Sequence, residues 1–271
     1  MRSKTPREAA TANRNLSGYV PDRHLNALLD AENAAGIRID ERCIENHTRA
    51  AFFSYSGPVP LPLNRQDIDG SLVNFVPHNL REGFHALYTL IKYRGSARAR
   101  ELAEASIAAV FEYWSPDRGW DDGRLTDQMG LNVWREGSTS PEFITGVARS
   151  IGPLVKLYRV TGHVQALQLA ILLKEKAIAE AFTEEGTFDP AVFGDHVHST
   201  TCTMSSLDQL ADFTGDSVLM RRVKAFLTMA SGRCVTSLAG PSNRPRLINA
   251  KIAGRPTIPA ISWRPRLFWD G

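Results

Sequence analysis

The sequence has few cysteines, no long apolar run and no excess of charge of one sign. Its three cysteines, Cys43, Cys202 and Cys234, lie far apart and are odd in number, which fits neither a disulfide framework nor a CxxC metal site. No window approaches about 18 consecutive apolar residues, so we expect no membrane-spanning helix. The 32 Lys and Arg residues nearly balance the 29 Asp and Glu residues, which excludes the basic footprint of a general nucleic-acid-binding protein.

Motifs for several other chemistries are also missing. There is no GxGxxG after a strand and no GxxxxGK[ST], so no phosphate-binding loop is predicted, and the absence of GxSxG leaves serine hydrolysis unsupported. The N-terminal stretch MRSKTPREAATANRN is polar and charged, unlike a secretory signal, and we therefore expect a cytoplasmic protein. What the chain does have is 271 residues of 43% hydrophobic content, enough to bury a sizeable core.

An internal repeat decides the predicted fold class. Three segments share one layout: an amphipathic helix, a tight turn, a second helix, and a loop with an aromatic residue and an Asp. The turns fall at Gly95, Gly162 and Gly215, because glycine readily adopts the left-handed conformation that ends a helix. A weaker fourth unit surrounds Gly36. The pattern predicts an all-α fold of repeated antiparallel α-hairpins, with core stripes that include Leu80, Phe84, Leu87 and Ile91, and then Ile107, Val110, Phe111 and Trp114.

Composition divides the chain into three parts. We predict a disordered N-terminal segment at residues 1–20, the hairpin domain at residues 21–232, and an irregular tail rich in Pro and Arg at residues 233–271. The tail loses helical periodicity where another hairpin would begin, so we expect a truncated or frame-shifted C-terminus. Within the hairpin domain, the Pro-rich run at 57–62 cannot be helical and predicts an extended loop.

Two histidines occupy equivalent places in the repeat. His78 and His198 lie at the same distance before Gly95 and Gly215, and each precedes a residue suited to capping a helix, Asn79 or Ser199. This spacing predicts that both histidines lie just before their helices, on the same rim of the array. Each is either a helix-entry residue that packs on its neighbour, or an imidazole that binds hydroxyls or moves protons in a cleft.

The segment at 193–202 holds the densest group of chemically active side chains. Asp195, His196, His198 and Cys202 are possible metal ligands, yet a His-x-His pair in a loop before a helix matches no standard zinc spacing. The alternative interpretation is a sugar-binding rim, in which Asp195 orients a histidine. We assign no metal to this segment.

The aromatic residue and Asp that close each hairpin form a second candidate set. Trp120-Asp121 and Phe188-Asp189 follow their turn glycines at nearly equal distances, which places both loops at one end of the array. Asp189 precedes a proline, and ordinary turn chemistry accounts for it. Trp120 and Asp121 are the stronger candidates, because an aromatic face and a carboxylate suit the C–H face and the hydroxyls of a sugar.

Carboxylates near helix starts form the third set. Glu82, Glu142 and Glu136 all fall at or just before the start of a helix, where the helix dipole alone favours an acidic residue. If Glu142 and Asp195 faced each other across a cleft, they would form the acid and base pair of glycoside hydrolysis.

The segments HNLREGFHALYTLIKYRGS, SIGPLVKLYRVTGHVQALQLA and HVHSTTCTMSSLDQLADFTGD resemble the six-hairpin glycosidase superfamily, particularly its β-L-arabinofuranosidase-like group. In that superfamily, similar LYxxTGD turns link successive helices of an α/α toroid. The resemblance covers roughly residues 78–230 and implies that the hairpins form part of an (α/α)6-type toroid. It also implies a carbohydrate ligand, with His78, Asp121 and His198 near a cleft at one end of the barrel.

The sequence departs from that superfamily in two respects. The arabinofuranosidases hold a zinc ion with clustered cysteines and a glutamate, and no such cysteine cluster occurs here, so their mechanism does not carry over. Three clear hairpins and a weaker fourth also fall short of a closed ring. An open ring would expose apolar helix faces, through which the chain could self-associate.

These observations predict a carbohydrate-active protein that resembles glycoside hydrolases of the α/α toroid type, as an active enzyme or as a truncated or inactive copy. The alternatives are a non-catalytic helical-repeat interaction module and a polysaccharide lyase, which would need a Tyr or His base beside a charge-neutralising Arg or Asn. We expect a saccharide partner and no cofactor, nucleic acid or membrane. The candidate acids and bases are Asp121, Glu142 and Asp195, and the candidate sugar contacts are His78, Asn79, Trp120, His196 and His198.

Overall fold

The computed structural model describes residues 19–65, 70–130, 133, 142–187, 189–194 and 197–238. The chain divides after Gly232, and every contact given below lies in the part that ends there. The described helices are α1 (Tyr19–Ala35), α2 (Glu41–Ser54), α3 (Asn79–Arg94), α4 (Ala97–Tyr113), α5 (Asp122–Met129), α6 (Glu142–Thr145), α7 (Ile151–Thr161), α8 (Val164–Glu180), α9 (Pro190–Phe193), α10 (Val197–Thr214) and α11 (Ser217–Leu238). A 3₁₀ turn, Val147–Ser150, precedes α7.

Helical hairpins build the fold, and the predicted all-α class is confirmed. Helices α1 and α2, α3 and α4, and α7 and α8 pack as consecutive pairs, and a fourth tight turn joins α10 to α11. Gly95, Gly162 and Gly215 have φ angles of 60°, 71° and 69°, the left-handed conformation that the sequence predicts for these turns. The amide of Gly95 donates to the Ile91 carbonyl and so closes the last turn of α3.

Helices α1 and α3 run parallel to each other. Near their starts, Arg23 lies 3.5 Å from Glu82, and near their ends Tyr93 donates a hydrogen bond of 3.0 Å to Asp30. Helix α3 in turn packs on α7, and α7 packs on α10.

Side-chain pairs show the same direction for α7 and α10. Midway along α10, the Ser206 hydroxyl donates to the carbonyl of Arg149, just before α7, at 3.1 Å, and near the two ends the Tyr158 and Phe213 rings lie 5.7 Å apart. In the described part of the chain, α1, α3, α7 and α10 therefore form one layer of parallel helices. Their hairpin partners α2, α4 and α8 return in the opposite direction.

Short strands carry the chain across the end where the parallel helices begin. The Pro-rich segment 57–62 is non-helical, as predicted, and leads into β1 (Leu63–Arg65), which pairs antiparallel with β2 (Leu72–Phe75). At the end of α4, β3 (Trp114–Ser115) pairs antiparallel with β4 (Gly119–Trp120). Neither sheet is predicted from the sequence, since helical periodicity does not report such short strands.

One predicted stripe needs correction. Phe111 is 37% exposed, so its assignment to the core was wrong, whereas Trp114 is buried. Helix α4 ends at Tyr113, and Trp114 lies in β3, so the two side chains do not continue one helical face. No helix among the described residues combines the length and apolar character needed to cross a membrane.

Candidate functional site

A buried ion pair joins the start of α3 to the segment before α7. The Arg149 side chain is fully buried, and its Nη2 donates to Oε1 of Glu82 at 2.9 Å, while Glu82 is itself 2% exposed. The Nη1 atom donates to the His78 carbonyl at 3.0 Å. Burial lowers the pKa of Arg149 by penalising its charge, and the Glu82 carboxylate opposes that effect.

Glu82 accepts hydrogen bonds from two further arginines. Arg81 reaches the same Oε1 atom at 2.7 Å and Arg23 at 3.5 Å, so three guanidinium groups share one carboxylate oxygen. From the sequence, the helix dipole alone explained an acidic residue at this position, and it gave no sign that Glu82 binds three arginines. The available signal was Arg149, a charged residue within an otherwise apolar stretch.

The first turns of α10 complete this end of the parallel layer. Cys202 is buried and its Sγ lies 3.7 and 3.8 Å from the two ring nitrogens of His198. The Cys202 sulfur lies near Arg149 and raises the pKa of that guanidinium, against the effect of burial. The Thr203 hydroxyl donates to the Ile144 carbonyl at 3.3 Å. We call this end of the layer, residues 78–85, 144–150 and 198–206 with Arg23, the N-terminal rim.

His78 and Asn79 both lie on the N-terminal rim. The Nδ1 atom of the half-buried His78 lies 2.9 Å from the Thr145 carbonyl oxygen. Asn79 is buried, and its amide donates to Oδ1 of Asn64 at 2.9 Å, while Asn64 donates to Asn74.

The predicted helix caps were wrong. Asn79 is the first residue of α3 and does not cap it, because its side chain binds Asn64, and His78 holds the cap position without a capping side-chain hydrogen bond. Ser199 lies inside α10, which begins at Val197, and His198 is therefore an exposed residue of the first turn of that helix.

Trp120 and Asp121 differ in exposure. Trp120 is 7% exposed and packs edge to face on Phe75 with ring centroids 5.0 Å apart, which places its loop beside the N-terminal rim. Asp121 is exposed and caps α5 by accepting a hydrogen bond from the Arg124 amide at 3.1 Å. Asp189 accepts from the Ala191 amide at 2.8 Å, which confirms its predicted turn role.

The remaining candidates are described in part or not at all. Glu142 begins α6, and its side chain lies outside the described residues. Asp195 and His196 also lie outside them, as do Glu136 and Phe188. The structure therefore brings His78, Asn79 and His198 to one rim with Trp120 beside it, and the separation of Glu142 from Asp195 stays a prediction.

His85 adds a buried titratable group that the sequence analysis missed. Its side chain lies one turn after Arg81 and is 7% exposed, and within the described residues its Nδ1 atom has no hydrogen-bond partner. Burial holds the pKa of His85 well below its ordinary 6.5, and Arg81, Lys156 and Arg149 lower it further. The ring is therefore neutral at pH 7. Only its position on an apolar helix face could have drawn attention to it.

The described residues contain no group of three or more His, Cys, Asp or Glu side chains placed to hold a metal ion. The chain matches no protein-family model, no curated protein and no solved structure. The chemistry of the N-terminal rim therefore carries the functional interpretation.

Proposed function

We propose that this chain is a carbohydrate-active protein of the α/α toroid type, related in mechanism to glycoside hydrolases, and that it binds saccharide at the N-terminal rim. The observation that carries the proposal is the parallel layer of α1, α3, α7 and α10. Because these helices begin at the same end, they bring histidine, asparagine and charged side chains from distant parts of the sequence to one rim.

The rim offers suitable partners for sugar hydroxyls. His198 is exposed and His78 is half-buried, so both imidazole rings lie at least partly at the surface of the rim. Glu82 is a positioning residue, because it is buried and already accepts hydrogen bonds from arginine side chains. Proton transfer to a glycosidic oxygen is therefore assigned to Asp121, Glu142 or Asp195.

A binding experiment tests the location of the site. We expect neutral and acidic oligosaccharides to bind the full chain in isothermal titration, and His198→Ala to weaken that binding about tenfold through one lost hydrogen bond. The matched control is His163→Ala, which removes a histidine in the turn between α7 and α8 at the opposite end of the layer. Equal affinities of the two variants would remove the N-terminal rim from saccharide binding.

A turnover experiment tests the assigned chemistry. Aryl glycosides and oligosaccharides are assayed with the wild type, Asp121→Asn and Asp195→Asn. Asparagine caps a helix as well as aspartate does, so Asp121→Asn preserves the α5 cap and removes the carboxylate. Asp189→Asn is the matched control, because Asp189 has the same capping role before α9. Wild-type turnover in both Asp121→Asn and Asp195→Asn would contradict a hydrolytic role for these two carboxylates.

A further inference from the structure

We propose that one face of α3 binds the carboxylate of an acidic saccharide, a site that rests on the proposed carbohydrate function and defines its substrate class. The site comprises Arg81, His85, Tyr88 and Lys92 of α3 together with Lys156 of α7. We call this set the cationic face.

Helical spacing places the α3 members on one side of the helix. Arg81, His85, Tyr88 and Lys92 follow one another at intervals of three or four residues, which defines a single helical face. Helix α7 contributes Lys156, whose Nζ lies 5.4 Å from the centre of the Tyr88 ring. The Lys92 ammonium lies 5.7 Å from the same centre, so cations from two helices surround one aromatic ring.

Positive charge exceeds negative charge at this face. Its carboxylate neighbours are Glu82, which is held by Arg81 and Arg149, and Asp30, which accepts a hydrogen bond from Tyr93 and is the acidic neighbour of Lys156. Among the described residues, the carboxylates of Glu82 and Asp30 lie beside Arg81, Arg149, Lys92 and Lys156, and Arg23 also contacts Glu82.

Burial makes the charge of Lys156 costly in the absence of a ligand. Lys156 is partly buried, and this burial lowers the pKa of its ammonium group. The Asp30 carboxylate opposes that shift, whereas the positive charges of Arg81 and Lys92 increase it. An anionic group at this face would stabilise the ammonium in place of the water that burial removes.

His85 is the second observation that indicates a ligand. Its imidazole is more than nine-tenths buried, its Nδ1 is unpaired within the described residues, and three neighbouring cations disfavour its protonation. These cations are Arg81 on α3, Arg149 in the 3₁₀ turn before α7, and Lys156 on α7. An unpaired buried polar atom is unfavourable unless a ligand or an ordered water satisfies it. A bound carboxylate would offset the cations and accept a hydrogen bond from the ring.

The experiment compares two ligands of the same size that differ in charge. Digalacturonic acid and its dimethyl ester are titrated into the full chain by isothermal calorimetry at pH 7 and low salt, with inorganic phosphate as a third ligand. Lys156→Met removes the ammonium and keeps the length of the side chain. Circular dichroism checks that the variant is folded. Because a partly buried ammonium is unfavourable in the folded wild type, we expect the methionine variant to fold as well. The matched control is Lys174→Met, which changes a partly buried lysine of α8, the hairpin partner of α7.

We expect the acid to bind more tightly than the ester, and Lys156→Met to weaken acid binding about tenfold while Lys174→Met leaves it unchanged. Equal affinity for acid and ester, unaffected by Lys156→Met, would overturn the anion site and leave saccharide binding standing. Phosphate binding as tight as acid binding, with the same sensitivity to Lys156→Met, would show an anion site without saccharide recognition. Absence of binding by both saccharides would overturn this inference and the proposed function together.

Discussion

Glu82→Gln is expected to destabilise the protein by about 3–5 kcal/mol, because it leaves the Arg149 guanidinium buried without a counter-charge. Arg149 has no exposed side-chain surface, and its contact with Glu82 is 2.9 Å. Glutamine keeps the size of the side chain and removes the charge, so the loss reports the uncompensated cation and not a cavity. The free energy of unfolding is measured by urea denaturation with linear extrapolation.

The opposite variant is expected to cost less. Arg149→Met leaves Glu82 paired with Arg81 at 2.7 Å, and the Arg81 side chain is 23% exposed, so the carboxylate keeps a partly hydrated counter-charge. The double variant Glu82→Gln/Arg149→Met should be more stable than Glu82→Gln alone, since it removes the stranded charge.

A surface pair provides the control. Glu112 and Arg124 lie 2.7 Å apart with both side chains about half exposed, and Glu112→Gln should cost about 1 kcal/mol or less. If Glu82→Gln costs no more than Glu112→Gln, or if the double variant is no more stable than Glu82→Gln, the buried pair does not have the assigned energetics.

Two further predictions concern the same helix. Gly83→Ala should destabilise the protein by about 1–3 kcal/mol in urea denaturation, because a Cβ there would overlap the hydroxyl of the buried Tyr55. The control Gly123→Ala adds a Cβ that meets only an ordinary contact, and it should be neutral or stabilising. Equal effects of the two variants would contradict the close approach of Gly83 to the Tyr55 hydroxyl. Burial and neighbouring cations hold the pKa of His85 in the folded state well below its ordinary 6.5. Between the folded-state pKa and about pH 6.5, the unfolded state therefore binds more protons than the folded state. The contribution of the neutral ring to the free energy of unfolding is complete above about pH 6.5 and is lost as the pH falls towards the folded-state pKa. The loss is at most about 1.4 kcal/mol per pH unit, and His85→Leu should reduce the fall in urea midpoint between about pH 7.5 and about pH 5.5; an unchanged fall would show that His85 does not cause it.

Local sequence signals predicted the helical hairpins well. A glycine after an amphipathic stripe indicates a left-handed helix end, and Gly95, Gly162 and Gly215 all have that conformation. The weaker unit around Gly36 also forms a hairpin, α1 with α2. These features depend on neighbours within one or two turns, so a single sequence contains the information they need.

The candidate site was predicted less completely. Equal spacing from the turn glycines predicted His78 and His198 beside the starts of their helices, and His78 immediately precedes α3 while His198 is the second residue of α10. The same spacing could not show that Trp120 packs on Phe75, or that Asn79 binds Asn64 in place of capping its helix. Both outcomes depend on β-strands too short to give a periodic signal.

The sequence by itself determined the helical class and the hairpin turns, because periodicity and glycine conformation act over short distances along the chain. Tertiary structure alone decided that Glu82 pairs with Arg149, 67 residues away, and that Lys156 and His85 meet at one face of α3. The free energy of a charge depends on its burial and its partners, and neither is set until α1, α3, α7 and α10 pack side by side.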